Sequence, residues 1–479
     1  MGRLSWLLPT EPGSTARRYF VTAAAWMVVA VTAGLLGAIQ LVAPDALGNI
    51  PWLGFGRLRP IHTNLMLFGW VPAALIGGVF HLVPQVLGTR LWSERLGHVS
   101  VWAFNGLLVA AVVTLGAGYT QGCEYAELIR PLDFVVLAWL ALLIVNLLMT
   151  VRQRTEKLLY VSVWYACGAV LWTFVVYAFG NVVWSADGAL GGSTDALWLW
   201  FFGHNTVGLW ITPLAIAVAY WVIPRVTARP IWSHTLSLIG FWSILAIYTH
   251  TGGHHLLQAP VPLWIKVLGV VDSICMLIPV FTFLANVWLP LKERWGRIHA
   301  DIGGKFVFAG TVFYALTCIQ GPLQSLPSIQ RVTHFTQWVV AHSHLAVFGF
   351  GGMIAMGTIY YVLPLVCGRR LWSRKLADLQ YWIMLLGVIG FFLVLTVAGL
   401  LQGHAWLNGE MVYRVLPQLT VYLVLRGAFG VLVTVGAVLQ LVNVLMTIRH
   451  GERFVPGESP EAVPAAAAAV PATAPEVAS

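Results

Sequence analysis

The sequence predicts an all-α, polytopic membrane protein of about twelve transmembrane helices, and three observations predict it. Hydrophobic residues make up 59% of the 479-residue chain and charged residues only 9%, with a mean hydropathy of +0.80. A soluble domain cannot hide that much apolar surface. Apolar runs near the roughly 20 residues that cross a bilayer recur at 20–43, 60–84, 98–118, 131–151, 157–184, 196–223, 233–252, 264–290, 304–321, 333–364, 377–401 and 416–448. Basic residues sort between the two sets of connecting loops. All but seven of the 27 Lys and Arg fall on one side; the seven are Arg57, Arg59, Arg130, Lys266, Arg331, Arg414 and Arg426. The positive-inside rule then puts both termini in the cytoplasm, with even-numbered spans running from outside to inside. A formal net charge of +9 would suggest nucleic acid in a soluble protein. Here loop placement accounts for it, so the expected partner is the lipid bilayer and not nucleic acid.

The division of the chain follows the same pattern. Residues 1–19 read as a cytoplasmic N-terminal segment, 20–450 as one transmembrane domain, and 451–479 as a disordered tail rich in Ala and Pro with no amphipathic pattern. There is no second folded domain and no short-period repeat. Arg17 and Arg18 precede the first apolar run, which is long enough to span and lacks a clear cleavage site, so no secretory signal is expected. The 23 tryptophans fit interfacial anchors as well as packing. The five cysteines (Cys123, Cys167, Cys275, Cys318 and Cys367) are isolated and read as packing residues. No C-x-x-C-H occurs, so no covalently attached c-type haem is expected.

The chemistry is carried by histidines. In THFTQWVVAHSHLAV (333–347), His342 and His344 lie two residues apart. At about 100° per residue they point to nearly opposite faces of a helix. One ion cannot easily take both, but two irons on opposite faces can. Two histidines inside hydrocarbon are costly without a task. His62, His204, His342 and His344 lie near the starts of inward-running spans, and His254 and His255 close the outward-running seventh. Six histidines on four spans therefore share one layer. The other eight lie mostly at loops or span ends, where an ordinary polar role suffices. His254 and His255, adjacent at a helix end, can bend to one ion with His204, a three-imidazole set suited to copper, zinc or iron. Of His62, His342 and His344, two can clamp one haem and the third can hold a second haem facing that metal.

The motifs FGRLRPIHTN (55–64), TQGCEYAEL (120–128), WFFGHNTVGLWIT (200–212), FWSILAIYTHTGGHH (241–255) and HFTQWVVAHSH (334–344) resemble those of the catalytic subunit of a haem–copper oxidase, specifically the cbb3-type (C-family) cytochrome c oxidase. The resemblance runs over about residues 20–448. It implies the haem–copper oxidase subunit I fold, in a bacterial-type cytoplasmic membrane. It implies that His62 and His344 ligate a low-spin haem b, that His342 ligates a high-spin haem b, and that His204, His254 and His255 ligate copper (CuB). Tyr248, six residues before His254, stands where the family has its active-site tyrosine, linked covalently to a copper-ligand histidine. Related oxidases place that tyrosine four residues after the first copper histidine, which here is Gly208. Haem propionates need cations, and Arg57, Arg59 and His334 are placed to reach them, although interfacial snorkelling explains the two arginines equally. Glu124 matches a family calcium ligand; Glu127 reads equally as a surface carboxylate.

A proton path from the cytoplasm is expected along Ser237, eleven residues before Tyr248 on the same helix face, with Tyr314 and Thr317 on the ninth span. This resembles the family's K-type channel, although such residues also serve as interhelical hydrogen-bond partners. Asp272 is an intramembrane acid without an assigned role. The chain departs from the family pattern at Gln320 and Gln337, where many members have acids. The function implied is reduction of O2 to water with electrons from cytochrome c, coupled to proton translocation. Without its own c-type haem, the chain needs a membrane-anchored c-type cytochrome subunit to deliver them. Two alternatives stand beside it. A nitric oxide reductase would hold a non-haem iron, which wants a carboxylate, and no glutamate adjoins the His204 set. A haem membrane protein lacking the binuclear centre would have no use for three clustered histidines.

Overall fold

With no water to satisfy the backbone, each apolar run must close its own hydrogen bonds, and a helix does so within one segment. The computed structural model describes residues 6–121, 123–182 and 190–454. Among them, eleven helices are long and apolar enough to cross a membrane: α1 Ser14–Gln40, α2 Phe55–Val86, α3 Glu94–Ala117, α4 Arg130–Arg152, α5 Val161–Val182, α6 Gly192–Thr227, α8 Leu263–Leu291, α9 Ile302–Ser325, α10 Gln337–Cys367, α11 Arg374–Leu407 and α12 Val412–His450. The seventh apolar run forms α7, His234–Thr251. It is a shorter helix, rising about 27 Å at 1.5 Å per residue. No strand is formed among the described residues, only isolated bridges.

Three of the departures from the sequence reading have a clear local reason. The first helix begins at Ser14 because the Glu94 carboxylate accepts from the free N–H groups of Gly13 and Thr15, at 2.7 and 2.9 Å. The run 333–364 is not one helix. A short helix Pro327–Thr333 ends, Phe335 turns through a positive φ of 61°, and α10 restarts at Gln337. Thr336 caps that restart, its hydroxyl accepting from Trp338 N–H at 3.2 Å. Residues 451–454 pair with the α10–α11 turn through Arg370 N–H to Glu452 C=O (2.7 Å) and Phe454 N–H to Gly368 C=O (3.2 Å). The rest of the expected disordered tail lies outside the described residues.

A long-period repeat organises the bundle. Pro84, Pro224 and Pro364 precede Trp92-Ser93, Trp232-Ser233 and Trp372-Ser373 at intervals of about 140 residues. Each unit ends α2, α6 or α10 on a left-handed residue or one beside it (Gly88, Ala228, Gly368) and starts the next helix on its serine. The serine hydroxyls accept from the N–H three residues on, at 3.1 to 3.2 Å. Each serine N–H also donates to an asparagine from a later helix: Asn146 at 3.1 Å, Asn286 at 2.7 Å and Asn443 at 3.2 Å. A buried amide therefore pins each turn to the body of the bundle.

The same three helices lie innermost. In the apolar windows of α2 and α6, 94% is buried, and in α10 78%, against 33% for α11. Each also carries a π-helical stretch in its first half or across its middle: Leu65–Trp70, Thr206–Ile211 and Leu345–Gly352. Such one-turn bulges locally rotate side chains and are common at functional sites. Here each follows within three residues of a histidine: His62, His204 or His344.

Candidate metal and haem centre

All six histidines line one cavity at the histidine-bearing end of the bundle, with Tyr248, Ser273, Thr317 and Cys318. Its empty volume is about 1560 Å³, partly open at the mouth.

His204, His254 and His255 form a single cluster, with one nitrogen from each within 4.8 Å of the others. Two local devices bring them together. The chain tightens after α7 into a 3-10 turn, Gly252–Leu256, which swings two adjacent histidines towards α6. Gly252 permits it, since a Cβ there would lie 2.5 Å from the Trp200 carbonyl oxygen. The ring of His255 then stacks on Trp200, with centroids 3.6 Å apart. The hydrogen-bond network fixes which nitrogens are free. Ser273 donates its hydroxyl to Gly269 C=O at 2.5 Å, so it must accept from His254 Nδ1–H at 2.7 Å. His254 thus presents Nε2. His204 Nδ1 and His255 Nε2 face each other at 3.2 Å. Three neutral imidazoles without a carboxylate fit a copper ion of borderline softness.

Tyr248 lies against this cluster, its ring 4.6 Å from that of His204 and tilted by 13°. It occupies space that Gly208 leaves open. A Cβ on Gly208 would fall 1.9 Å from the tyrosine ring. His342 enters the same cavity from α10, its Nδ1–H donating to Gln320 Oε1 at 2.9 Å. That bond leaves Nε2 for a metal.

His62 and His344 make a different arrangement on the opposite face of α10. Their ring centroids are 6.1 Å apart and their planes differ by 18°. Two metal–imidazole bonds of about 2.0–2.1 Å plus the ring radii fill this gap, so the pair fits one six-coordinate iron. Both Nδ1 atoms donate to backbone carbonyls, His62 to Ala30 and His344 to Val340, each at 2.8 Å. Gly34 supplies the cradle, since a Cβ there would come within 2.7 Å of the His62 ring.

The other sequence-predicted site residues are placed as follows. Arg59 is paired with Glu124 by a short salt bridge, so calcium at Glu124 would compete with a guanidinium. Arg57 packs over Gly118, where a Cβ would touch its guanidinium at 2.4 Å. His334 lines the cavity and bonds Gln258 at 2.9 Å. Its burial holds its imidazole below the usual range. Glu127 is buried and accepts from Asn64 Nδ2 at 2.8 Å. Burial raises its carboxyl above the usual range, against the lowering effect of Asn64. Of the expected proton path, Thr317 reaches the cavity wall and donates to Phe313 C=O. Tyr314 is buried one helical turn before Cys318, which also lines the wall. Ser237 is buried three turns down α7 and donates to His234 C=O at 2.6 Å. Asp272 approaches His250 at 3.5 Å. Ser273 and Cys318 are site residues that sequence reasoning missed as such. Neither has a distinctive spacing, and only the approach of α8 and α9 to the histidines identifies them.

Comparison with known proteins gives a family match and similar chains. Residues 14–432 match the family model described as cytochrome C and quinol oxidase polypeptide I. A cytochrome c oxidase subunit 1 homolog of Agrobacterium tumefaciens (strain T37) is 31% identical, covering 89% of this chain and 82% of its own. The cbb3-type cytochrome c oxidase subunit CcoN1 of Stutzerimonas stutzeri is 28% identical, covering 81% and 84%. A haem–copper terminal oxidase dimer solved by cryo-electron microscopy matches the fold with a TM-score of 0.75 at 15% identity, over 92% of this chain and 85% of its own.

Proposed function

The chain belongs to the cytochrome c and quinol oxidase polypeptide I family, and on that premise we propose that it is the catalytic subunit of a cbb3-type terminal oxidase. Family membership makes it an integral membrane protein of the haem–copper oxidases. The proposal adds that it reduces O2 to water with electrons from cytochrome c and couples this to proton translocation. The observation that carries the reading is Tyr248 seated against His204, in the space left by Gly208, beside three imidazoles free of carboxylates.

In this reading His62 and His344 hold a low-spin haem b, His342 a high-spin haem b, and His204, His254 and His255 copper. When bound, a haem iron and copper would supply three of the four electrons that cleaving dioxygen takes, and Tyr248 would supply the fourth together with its proton. The chain's own residues do the rest. Ser273 and Gln320 fix imidazole tautomers. Tyr248 stands where a phenol can give up both a proton and an electron. Thr317, Cys318, Tyr314 and Ser237 mark a polar seam towards the cytoplasmic side for replacing that proton. Arg57 and His334 serve the propionates, and Arg59 shares that task with its Glu124 pairing, where calcium is the competing occupant. Both termini lie in the cytoplasm of a bacterial-type inner membrane, residues 20–450 act as one domain, and a membrane-anchored c-type cytochrome delivers electrons on the opposite face.

Metal analysis with a reduced-minus-oxidised spectrum under carbon monoxide tests this directly. We expect about one copper per two haems, one of which binds carbon monoxide. Iron in place of copper would move the chain to nitric oxide reduction, and no third metal would leave a haem protein without a binuclear centre.

A further inference from the structure

Apart from the site residues, Arg426 is a charged group inside the bundle with no charged partner among the described residues. Arg426 lies fourteen residues into the apolar helix α12. A cation there is expensive unless something pairs with it. Its recorded polar contact is neutral: one terminal N–H reaches Gln337 Oε1 at 3.4 Å. Its Nε is enclosed with no hydrogen-bond partner. The guanidinium carbon lies 5.6 Å from the centre of the Phe391 ring, and Phe391 packs on His344 with centroids 4.4 Å apart. Arg426 therefore stands one aromatic ring behind a histidine of the His62–His344 pair. The contacts of Gln337 hold it there, since its backbone N–H is fixed by Gln402 Oε1 at 2.9 Å.

The contrast is Arg59. It stands three residues before His62 on α2. Arg59 carries its own carboxylate, Glu124, so its field is largely cancelled. Among the described residues, no carboxylate pairs with Arg426. An uncompensated positive charge beside a redox centre favours the state holding one more electron.

We propose that Arg426, left uncompensated by the neutral Gln337, sets the electron affinity of the centre held by His62 and His344. It is a positioning and tuning residue; it touches neither ligand directly. This rests on the reading of that pair as a low-spin haem site. Gln337 acts as the setting: a neutral side chain keeps the affinity high, and an acid in its place would lower it by neutralising the guanidinium.

The test is a redox titration of the low-spin haem band in the purified complex, with haem content measured by pyridine haemochromogen. Arg426→Gln should shift the one-electron equilibrium about tenfold towards oxidised haem, a fall of about 59 mV. Arg426→Lys should keep most of the wild-type value. Gln337→Glu, which neutralises the cation without removing any packing, should shift in the same direction as Arg426→Gln even where that variant assembles poorly. Arg59→Gln should shift less than either. Unmoved midpoints in both Arg426→Gln and Gln337→Glu, with haem present, overturn the proposal. Absence of any low-spin haem in the wild-type protein overturns the reading beneath it instead.

Discussion

The two faces of α10 hold their histidines in opposite ways. His344 and its partner His62 are steadied by backbone carbonyls, which no substitution can remove. His342 and His254 are steadied by side chains, Gln320 and Ser273, and His255 by a tryptophan ring. The first pocket is built to keep one geometry. The second is built from replaceable parts, next to a tyrosine. On the function proposed above, electron relay needs constancy, whereas bond cleavage needs groups whose proton affinity and position can be tuned. The difference teaches that one helix can serve both tasks by dividing where its hydrogen bonds end.

The comparison breaks most sharply at Tyr248. Tyr248→Phe should cut oxygen consumption by about 10²–10⁴-fold, the range for losing a positioned proton donor, while both haem spectra persist. Wild-type-like turnover would remove the chemical role from that pocket. Gly208→Ala and Gly34→Ala then form a mirrored pair, each forcing a side chain to move at a cost of about 1–3 kcal/mol. The first should impair turnover and spare the low-spin band; the second should disturb the low-spin band and spare carbon monoxide binding. If each disturbs both signals equally, the pockets are not separable. Ser273→Ala should weaken copper retention about 10–100-fold, as loss of an outer partner typically does, without altering the His62–His344 spectrum; retained copper under graded chelation would count against it.

The smallest effect lies outside both pockets. Burial raises the carboxyl of Glu127, so its folded pKa exceeds the unfolded one. Its contribution favours the fold at low pH and is lost as pH rises through the folded value. Wild-type thermal stability should therefore lose ground over that window, and Glu127→Gln should flatten the loss. An unchanged profile would assign the burial no energetic weight.

The fold class was legible in the sequence because twelve apolar runs leave one solution in lipid, and the His-x-His of α10 was legible because helical phase alone separates its two residues. Other features were not. The interruption at 334–336 depends on Phe335 taking a positive φ, a conformation its side chain does not advertise. The Arg59–Glu124 pairing joins residues 65 apart, and the choice between a propionate, calcium and each other cannot be made from spacing. Ser273 serves His254 across two helices. Arg426 did carry a signal, a lone charge in an apolar run, but its neighbours come from α10 and α11.

The 140-residue repeat turns the molecule into its own control. Asn146, Asn286 and Asn443 hold equivalent turns in three units that share a chain, a membrane and a measurement. Alanine at each is one perturbation performed in triplicate, and any inequality among the three outcomes measures what the surrounding unit adds. The unit whose turn follows α2, α6 or α10 can thus be weighed against its siblings without recourse to a second protein.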